Sequence, residues 1–468
     1  MTFRREHDLL GERQIPEAAY WGVHTLRARD NFPISGQPIS THPDLVVALA
    51  AIKQAAAQAN HRLGLLDATR CNAIVQACED IRAGQLNDQF VVDVIQGGAG
   101  TSTHMNANEV IANRALEILG HAKGDYTRLH PNEHVNIGQS TNDVYPTAVK
   151  LAAWAGAQRL LLALQDLRDQ LRRKADAFAH ILKVGRTQLQ DAVPMTLGQE
   201  FGAFATSMDS AITQLGAALP GLCSINLGAT AIGTGVTTHA DYPETVRAEL
   251  SALLGIELRT AADLVEATQD CDAFVALSAA LKRLAIRLSK LCNDLRLLSS
   301  GPRTGLAEIR LPARQAGSSI MPGKVNPVIP EVVNQVCFQV IGNDLTITLA
   351  AEAGQLQLNA FEPIIACCLQ QSLAHLTAAV DSLTRNCIEG IEADSPRIDS
   401  LLNASLAFIT VLNPHLGYAR TTEVALEALA TGQDVRSIVL ARGWLDDAQL
   451  GRILDPASAT RPGILAAA

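Results

Sequence analysis

Aromatic residues are scarce in this 468-residue chain, at 4% of the composition, while hydrophobic residues reach 48%. The core is therefore built from Ala, Leu, Val and Ile, which favours helix-on-helix packing over a sheet sandwich. Basic charge is not in excess either. A formal net charge of -9 leaves nothing to neutralise a phosphate backbone, so no nucleic-acid partner is expected. One focused cationic pocket for a small anion still fits an acidic protein. The nine cysteines form no CxxC pair and no regular spacing, and Cys271 and Cys292 fall inside helical patterns, so they read as buried free thiols. No HExxH, paired-Cys or EF-hand pattern is present, so neither a metal nor another cofactor is expected. The glycine-rich "GATAIGTG", Gly228 to Gly235, lacks the Lys-Ser/Thr that completes a phosphate loop and no strand-helix unit frames it. No stretch of eighteen uninterrupted apolar residues suggests a membrane span. The opening "MTFRREHDLLGERQIP" lacks the apolar run of a signal peptide, and a soluble, cytoplasmic chain is the expectation.

What is present is helical rhythm. Leu160, Leu164, Leu167 and Leu171 keep one stripe, and Phe274, Leu277, Leu281, Leu284, Leu288, Leu291 and Leu295 alternate steps of three and four without Gly or Pro. The second series is a sustained heptad seam. Further long helices are expected to begin near Pro327 and Pro363. The length exceeds what one core usually holds. The chain divides into a mostly helical N-terminal domain over 1–141, a central long-helix bundle over 142–396 and a small helical C-terminal domain over 397–468. Several long helices from one chain form a bundle, and wide apolar faces point to bundle-against-bundle packing between subunits.

The loops between these helices are unusually polar. "AGSSIMPGKVNPVIPEVVNQV", Ala316 to Val336, places Asn326 as an N-cap and Pro327 at the first helical position. Gly317 and Gly323 permit unusual dihedrals ahead of it. A helix N-terminus with Lys324 beside it suits a carboxylate, and Ser318 and Ser319 add hydroxyls. An anion site with a nucleophile or base is one reading; a capped surface loop is the other. Three more loops share the character: "GAGTS" with Thr101 and Ser102, "GQSTND" with Ser140, Thr141 and Asn142, and "VGRTQLQDAVP" with Arg186, Thr187 and Gln188. Each alone is more often a cap or turn. Four of them in one helical chain point to donors gathered around a small dicarboxylate. His180, His239 and His375 are isolated and read as structural or exposed.

"GSSIMPGKVNP" resembles the hallmark loop of the aspartase/fumarase superfamily, and "GGAGTS…MNANEV", "VNIGQSTNDVYPTA" and "GRTQLQDAVP" are similar to its other substrate loops, in the expected order. The resemblance runs from "LLGERQIPEAAYWGVHTLRA" to beyond "NPHLGY". "QSTND", where fumarases carry a second Ser in place of Thr141, and "GGAGTS" rather than a fumarase-like "GSGTQ" place it on the aspartase side. "EVVNQVCFQVIGND" and "AEAGQLQLN" look aspartase-like too.

The resemblance implies an all-α, three-domain fold around a five-helix bundle. It implies a homotetramer with sites drawn from three chains, no cofactor, and reversible deamination of L-aspartate to fumarate and ammonia. It assigns Ser318 as the proton-abstracting base. Thr101, Ser140, Thr141 and Ser319 match positions that hold the β-carboxylate; Thr187, Lys324 and Asn326 match those for the α-carboxylate; Asn142 matches a contact to the leaving amino group. Gln188 stands where many relatives carry His, and its amide hydrogen-bonds without titrating near neutrality. His104 stands where the family commonly has Asn. If its ring lines the pocket, activity should titrate near about 6.5; otherwise the exchange is structural. A class II fumarase, a lyase for a substituted aspartate, and a catalytically silent structural homologue are the alternatives.

Overall fold

The leucine seam becomes the buried face of the helix Asp272–Leu298. Phe274, Leu277, Leu281, Leu284, Leu288, Leu291 and Leu295 are each at most 2% exposed. The Leu160 to Leu171 stripe is equally buried, on the helix Thr141–Ala177. The computed structural model describes residues 2–455 and 459–461; the alanine-rich end of the chain lies outside them. Among the described residues the architecture is all-α, with five long helices: Thr141–Ala177, Leu197–Leu222, Asp272–Leu298, Val328–Glu352 and Glu362–Asn386. Among the described residues strands occur only as two-stranded pairs, chiefly Phe3–Asp8 with Gly11–Pro16 and Leu182–Thr187 with Gln190–Thr196. The second is a hairpin where the sequence reading saw a loop, because Gly185, Asp191 and Pro194 hide its alternation.

Contacts group the chain into two compact units. The first holds Met1–Leu162, Thr213–Ala285 and Val336–Thr377; the second holds Ala163–Ile212, Ile286–Gln335 and Ala378–Ala468. In the first, the alanine-rich helix Pro43–Arg62 packs on Ala68–Arg82 and on Tyr242–Leu254. Small side chains at Ala48, Ala51, Ala55 and Ala59 let the backbones approach closely. In the second, short C-terminal helices close over Leu412, Val424, Ile438, Val439 and Leu450. The last of them, Asp447–Ile453, starts with a capping box between Asp446 and Gln449.

Eight of the nine cysteines are buried. One segment, Glu362–Gly390, is long and apolar enough to cross a membrane, but 67% of its most apolar window is buried in the fold, as in a core helix. The seam gives a direct test of what its helix contributes to stability. Leu284→Ala leaves a cavity in a close-packed interior and should lower stability by roughly 2–5 kcal/mol, read as a lower midpoint in urea denaturation.

Candidate active site

The expected site residues fall into two groups, one in each unit. In the first unit, Thr101 opens the helix Thr101–Ile118, and Ser140, Thr141 and Asn142 lie at the start of Thr141–Ala177. Three consecutive left-handed residues, Gly98, Ala99 and Gly100, turn the chain into the first helix. Gly100 lies against Tyr145: a Cβ there would sit 2.4 Å from the aromatic ring. One turn into the same helix, His104 Nδ1 is 2.8 Å from Thr141 Oγ1. These contacts bring the opening turns of the two helices together.

Asp143 fixes the second helix start. Its buried carboxylate accepts from the backbone N–H of Ser140 (2.9 Å), Gly228 (3.0 Å) and Thr230 (3.0 Å). Burial raises its pKa to about 6 against the pull of those donors. The glycine-rich segment 228–235 is therefore a brace for the start of this helix. Asn142 donates from Nδ2 to Ala231 O at 2.7 Å, while Asn226 holds the Asn142 carbonyl at 3.0 Å. With its nitrogen so engaged, Asn142 presents Oδ1 as an acceptor.

In the second unit, Thr187 and Gln188 sit at the tip of the Leu182–Thr187/Gln190–Thr196 hairpin. Both turn residues, Gln188 and Leu189, have positive φ, 54° and 64°. A two-residue hairpin turn of this shape normally takes Asn-Gly, so Gln-Leu carries local backbone strain. The base of the hairpin is anchored by charge. Glu308, buried, pairs with Lys183 Nζ at 2.7 Å and Arg186 Nη1 at 2.5 Å, and Lys183 also meets Glu200. Val184 packs with Leu402 and Ala407.

The Ser318 loop closes on itself in the same unit. Gly317 N–H donates to Lys324 O (2.9 Å) and Asn326 Nδ2 donates to Gly317 O (2.6 Å). A Cβ on Gly317 would approach Asn326 N and Lys324 O to 2.7 Å, so the closure admits only glycine. Ser318 Oγ accepts from the backbone N–H of Met321 (2.8 Å) and Ile320 (3.2 Å). Two donors on one hydroxyl oxygen favour its deprotonated form. Ser319 and Lys324 are exposed on this loop. The expected N-cap is corrected: the helix begins at Val328, and Glu331 N–H bonds to Pro327 O. The Asn326 side chain reaches back to lock the loop instead.

The lyase family matches residues 11–342, and the fumarase C C-terminus matches residues 408–461. The chain belongs to the aspartase/fumarase superfamily of lyases. It is 54% identical over 465 residues to an aspartate ammonia-lyase of Pseudomonas canavaninivorans, covering 99% of this chain and 98% of that one. To the aspartate ammonia-lyase of Escherichia coli K12 it is 50% identical, covering 98% and 97%. A crystal structure of "fumarate lyase:delta crystallin" from Brucella melitensis bound to cobalt superposes with TM-score 0.96 at 54% identity, covering 98% of this chain and all of that one. A class II fumarase from Schistosoma mansoni gives TM-score 0.93 at 34% identity, covering 97% and 98%.

In this superfamily member the surroundings of His104 speak against the titrating reading. The ring is 1% exposed, and burial together with the Lys53 ammonium holds it well below the usual histidine range. A His104 titration near about 6.5 is therefore not expected. Lys53, Asp143 and Glu308 escaped the sequence reading. The signal for Lys53 was available: it interrupts a helix face whose neighbours Leu49, Ala50, Ala56 and Ala57 are all buried. Gly100→Ala tests the Thr101 turn. Clash with Tyr145 and loss of the left-handed conformation should cost roughly 2–5 kcal/mol of stability. Misplacing Thr101 by about 1 Å should cost on the order of 100-fold in turnover, measured by steady-state assay.

Proposed function

We propose that this lyase reversibly deaminates L-aspartate to fumarate and ammonia, with Ser318 as the base. One observation carries the mechanism: the Ser318 oxygen faces two backbone donors in a loop closed by Gly317 and Asn326. Serine is a poor base in water, and these donors with the Lys324 ammonium on the same loop lower the cost of its alkoxide. The oxygen takes the proton from the carbon next to the β-carboxylate. The electron pair moves into that carboxylate, forming a dianionic aci-form, then returns to make the double bond as the C–N bond breaks and ammonia leaves.

Ser140, Thr141 and Ser319 supply hydroxyl donors where that charge develops, and Thr101, whose O–H donates to Gly98 O at 2.8 Å, joins them by turning its hydroxyl. Thr187, Lys324 and Asn326 hold the α-carboxylate; Asn326 retains one N–H beyond the one given to Gly317. The free Oδ1 of Asn142 suits the amino group, which offers only donors, and Gln188 adds an amide at the hairpin tip. Identities of 54% to aspartate ammonia-lyases against 34% to a class II fumarase favour deamination over malate dehydration.

In this reading the working form is a homotetramer that draws each site from three chains. An exposed apolar stripe on Val328–Glu352 supports it, with Phe338, Leu345 and Leu349 each about 60% exposed. Helix faces of this kind are covered by a second bundle.

Fumarate absorbance with L-aspartate and with L-malate separates the two activities; product from malate alone sinks the assignment. Ser318→Ala should leave folding and dicarboxylate binding intact and lower turnover by at least about 1,000-fold, as no other group on the loop takes the proton. Activity near wild type in that variant would remove Ser318 from the role. Lys324→Ala should weaken binding and turnover together, and Lys324→Arg should not restore them, since a fork replaces a point charge. Full turnover of Lys324→Ala at saturating aspartate would confine the lysine to binding.

A further inference from the structure

Lys53 is the least expected side chain in the first unit. It lies at 0% exposure on Pro43–Arg62, and among the described residues no carboxylate lies within ion-pair distance of it. Its Nζ instead has three neighbours: Asn136 Oδ1 at 2.8 Å, Gln139 Oε1 at 2.8 Å and His104 Nε2 at 2.6 Å. The two amides cannot be turned round. Asn136 Nδ2 is committed to Gln139 O, and Gln139 Nε2 to the carbonyls of Val135 and Ile137. Both oxygens therefore accept, and the third Nζ partner completes the set of acceptors that an ammonium requires.

With Lys53 as the ammonium, this arrangement dictates the tautomer of His104. Nε2 accepts from Lys53, so the neutral ring carries its proton on Nδ1, and Nδ1–H donates to Thr141 Oγ1 at 2.8 Å. The Thr141 oxygen is thereby an acceptor towards the ring. Its own O–H proton has no acceptor among the described residues, so it is available to a ligand. We propose that Lys53 and His104 form a relay of fixed polarity that presents the Thr141 hydroxyl as a hydrogen-bond donor to the substrate's β-carboxylate, with both as positioning residues.

The proposal rests on the reading of Thr141 as a β-carboxylate contact. Polarity is the essential point. With the opposite ring tautomer Nδ1 would take the Thr141 proton, and a lone pair would face the carboxylate. The groups that bear on Lys53 are the His104 ring, the Asp143 carboxylate and the Cys78 thiol; Asn136 and Gln139 are neutral. Burial lowers Lys53 to about 7, opposed by Asp143 and Cys78, so the ammonium predominates at pH 6.

Two measurements test the relay in the full-length protein. The first is nitrogen NMR of histidine-labelled protein at pH 6, with His104 assigned by its loss in His104→Gln. A proton on Nδ1 is expected in wild type, with a mixed tautomer in Lys53→Met. A proton on Nε2 in wild type overturns the proposal. The second is a kinetic cycle with L-aspartate, also at pH 6. Thr141→Val should lower kcat/KM by roughly 10- to 100-fold, the worth of a hydrogen bond to a charged group. His104→Leu should lose about tenfold alone but less than about twofold in the Thr141→Val background, because the ring acts only through that hydroxyl. His104→Gln, whose amide again offers one acceptor and one donor, should recover most of the loss. Fully additive losses, or no rescue by Gln, defeat the relay. If wild type leaves L-aspartate unchanged, the functional assignment falls, and the tautomer still decides whether the relay exists.

Discussion

A carboxylate buried at the first turn of a helix is the constraint from which the first group of site residues follows. Among the described residues no cation lies within ion-pair distance of Asp143, and its oxygens are satisfied by backbone N–H groups from Ser140, Gly228 and Thr230. Each bond fixes a piece of main chain. Ser140 and Thr141 are held at the helix start, the 228–235 segment is folded over them, and Ala231 is placed where it takes the Asn142 amide. Thr230 accepts a positive φ of 56° as part of this arrangement. A helix N-terminus already favours negative charge, which offsets part of the burial cost. The polar triplet at 140–142 is thus positioned by a residue that is itself inaccessible to substrate.

The second unit solves the same problem by ion pairing. Glu308 meets Lys183 and Arg186 on one hairpin strand, so opposite charges rather than backbone donors hold the turn that carries Thr187 and Gln188. A buried pair of this kind adds little net stability over an apolar replacement, but removing one partner leaves an uncompensated charge. Its contribution is to geometry: it supports a turn whose two central residues are both left-handed without glycine. Strain held by a buried anchor is what a positioned polar tip requires.

Much of this was legible in the sequence. The seam from Phe274 to Leu295 declared its helix, because seven apolar residues at steps of three and four admit no other period. The four polar loops declared themselves by composition, and their order carried the family. Other features were hidden for identifiable reasons. The 182–196 hairpin is masked by Gly185 at its bulge and by polar residues at its exposed positions. Asn326 looked like an N-cap because Asn-Pro before an apolar run is the usual signature, whereas a carbonyl nine residues upstream won the amide. Lys53 was passed over because a lysine on a helix ordinarily marks the solvent face. Only the three-dimensional arrangement shows three acceptors converging on it.

The two histidine exchanges lead to one chemical consequence. By the resemblance, Gln188 stands where a His would be expected, and it cannot hold a titrating proton near neutrality. His104 adds an imidazole elsewhere, but burial beside Lys53 keeps it neutral throughout that range. No residue assigned to substrate or proton transfer is therefore an imidazole available to titrate. With Ser318 as the proposed base, its basicity has to come from its own loop, through the N–H groups of Ile320 and Met321 and the Lys324 charge. Gly317 makes that loop possible, since any side chain there would push Lys324 O and Asn326 N apart. In the proposed site, proton affinity is set by loop backbone donors with one lysine charge, and the buried imidazole is kept for orientation.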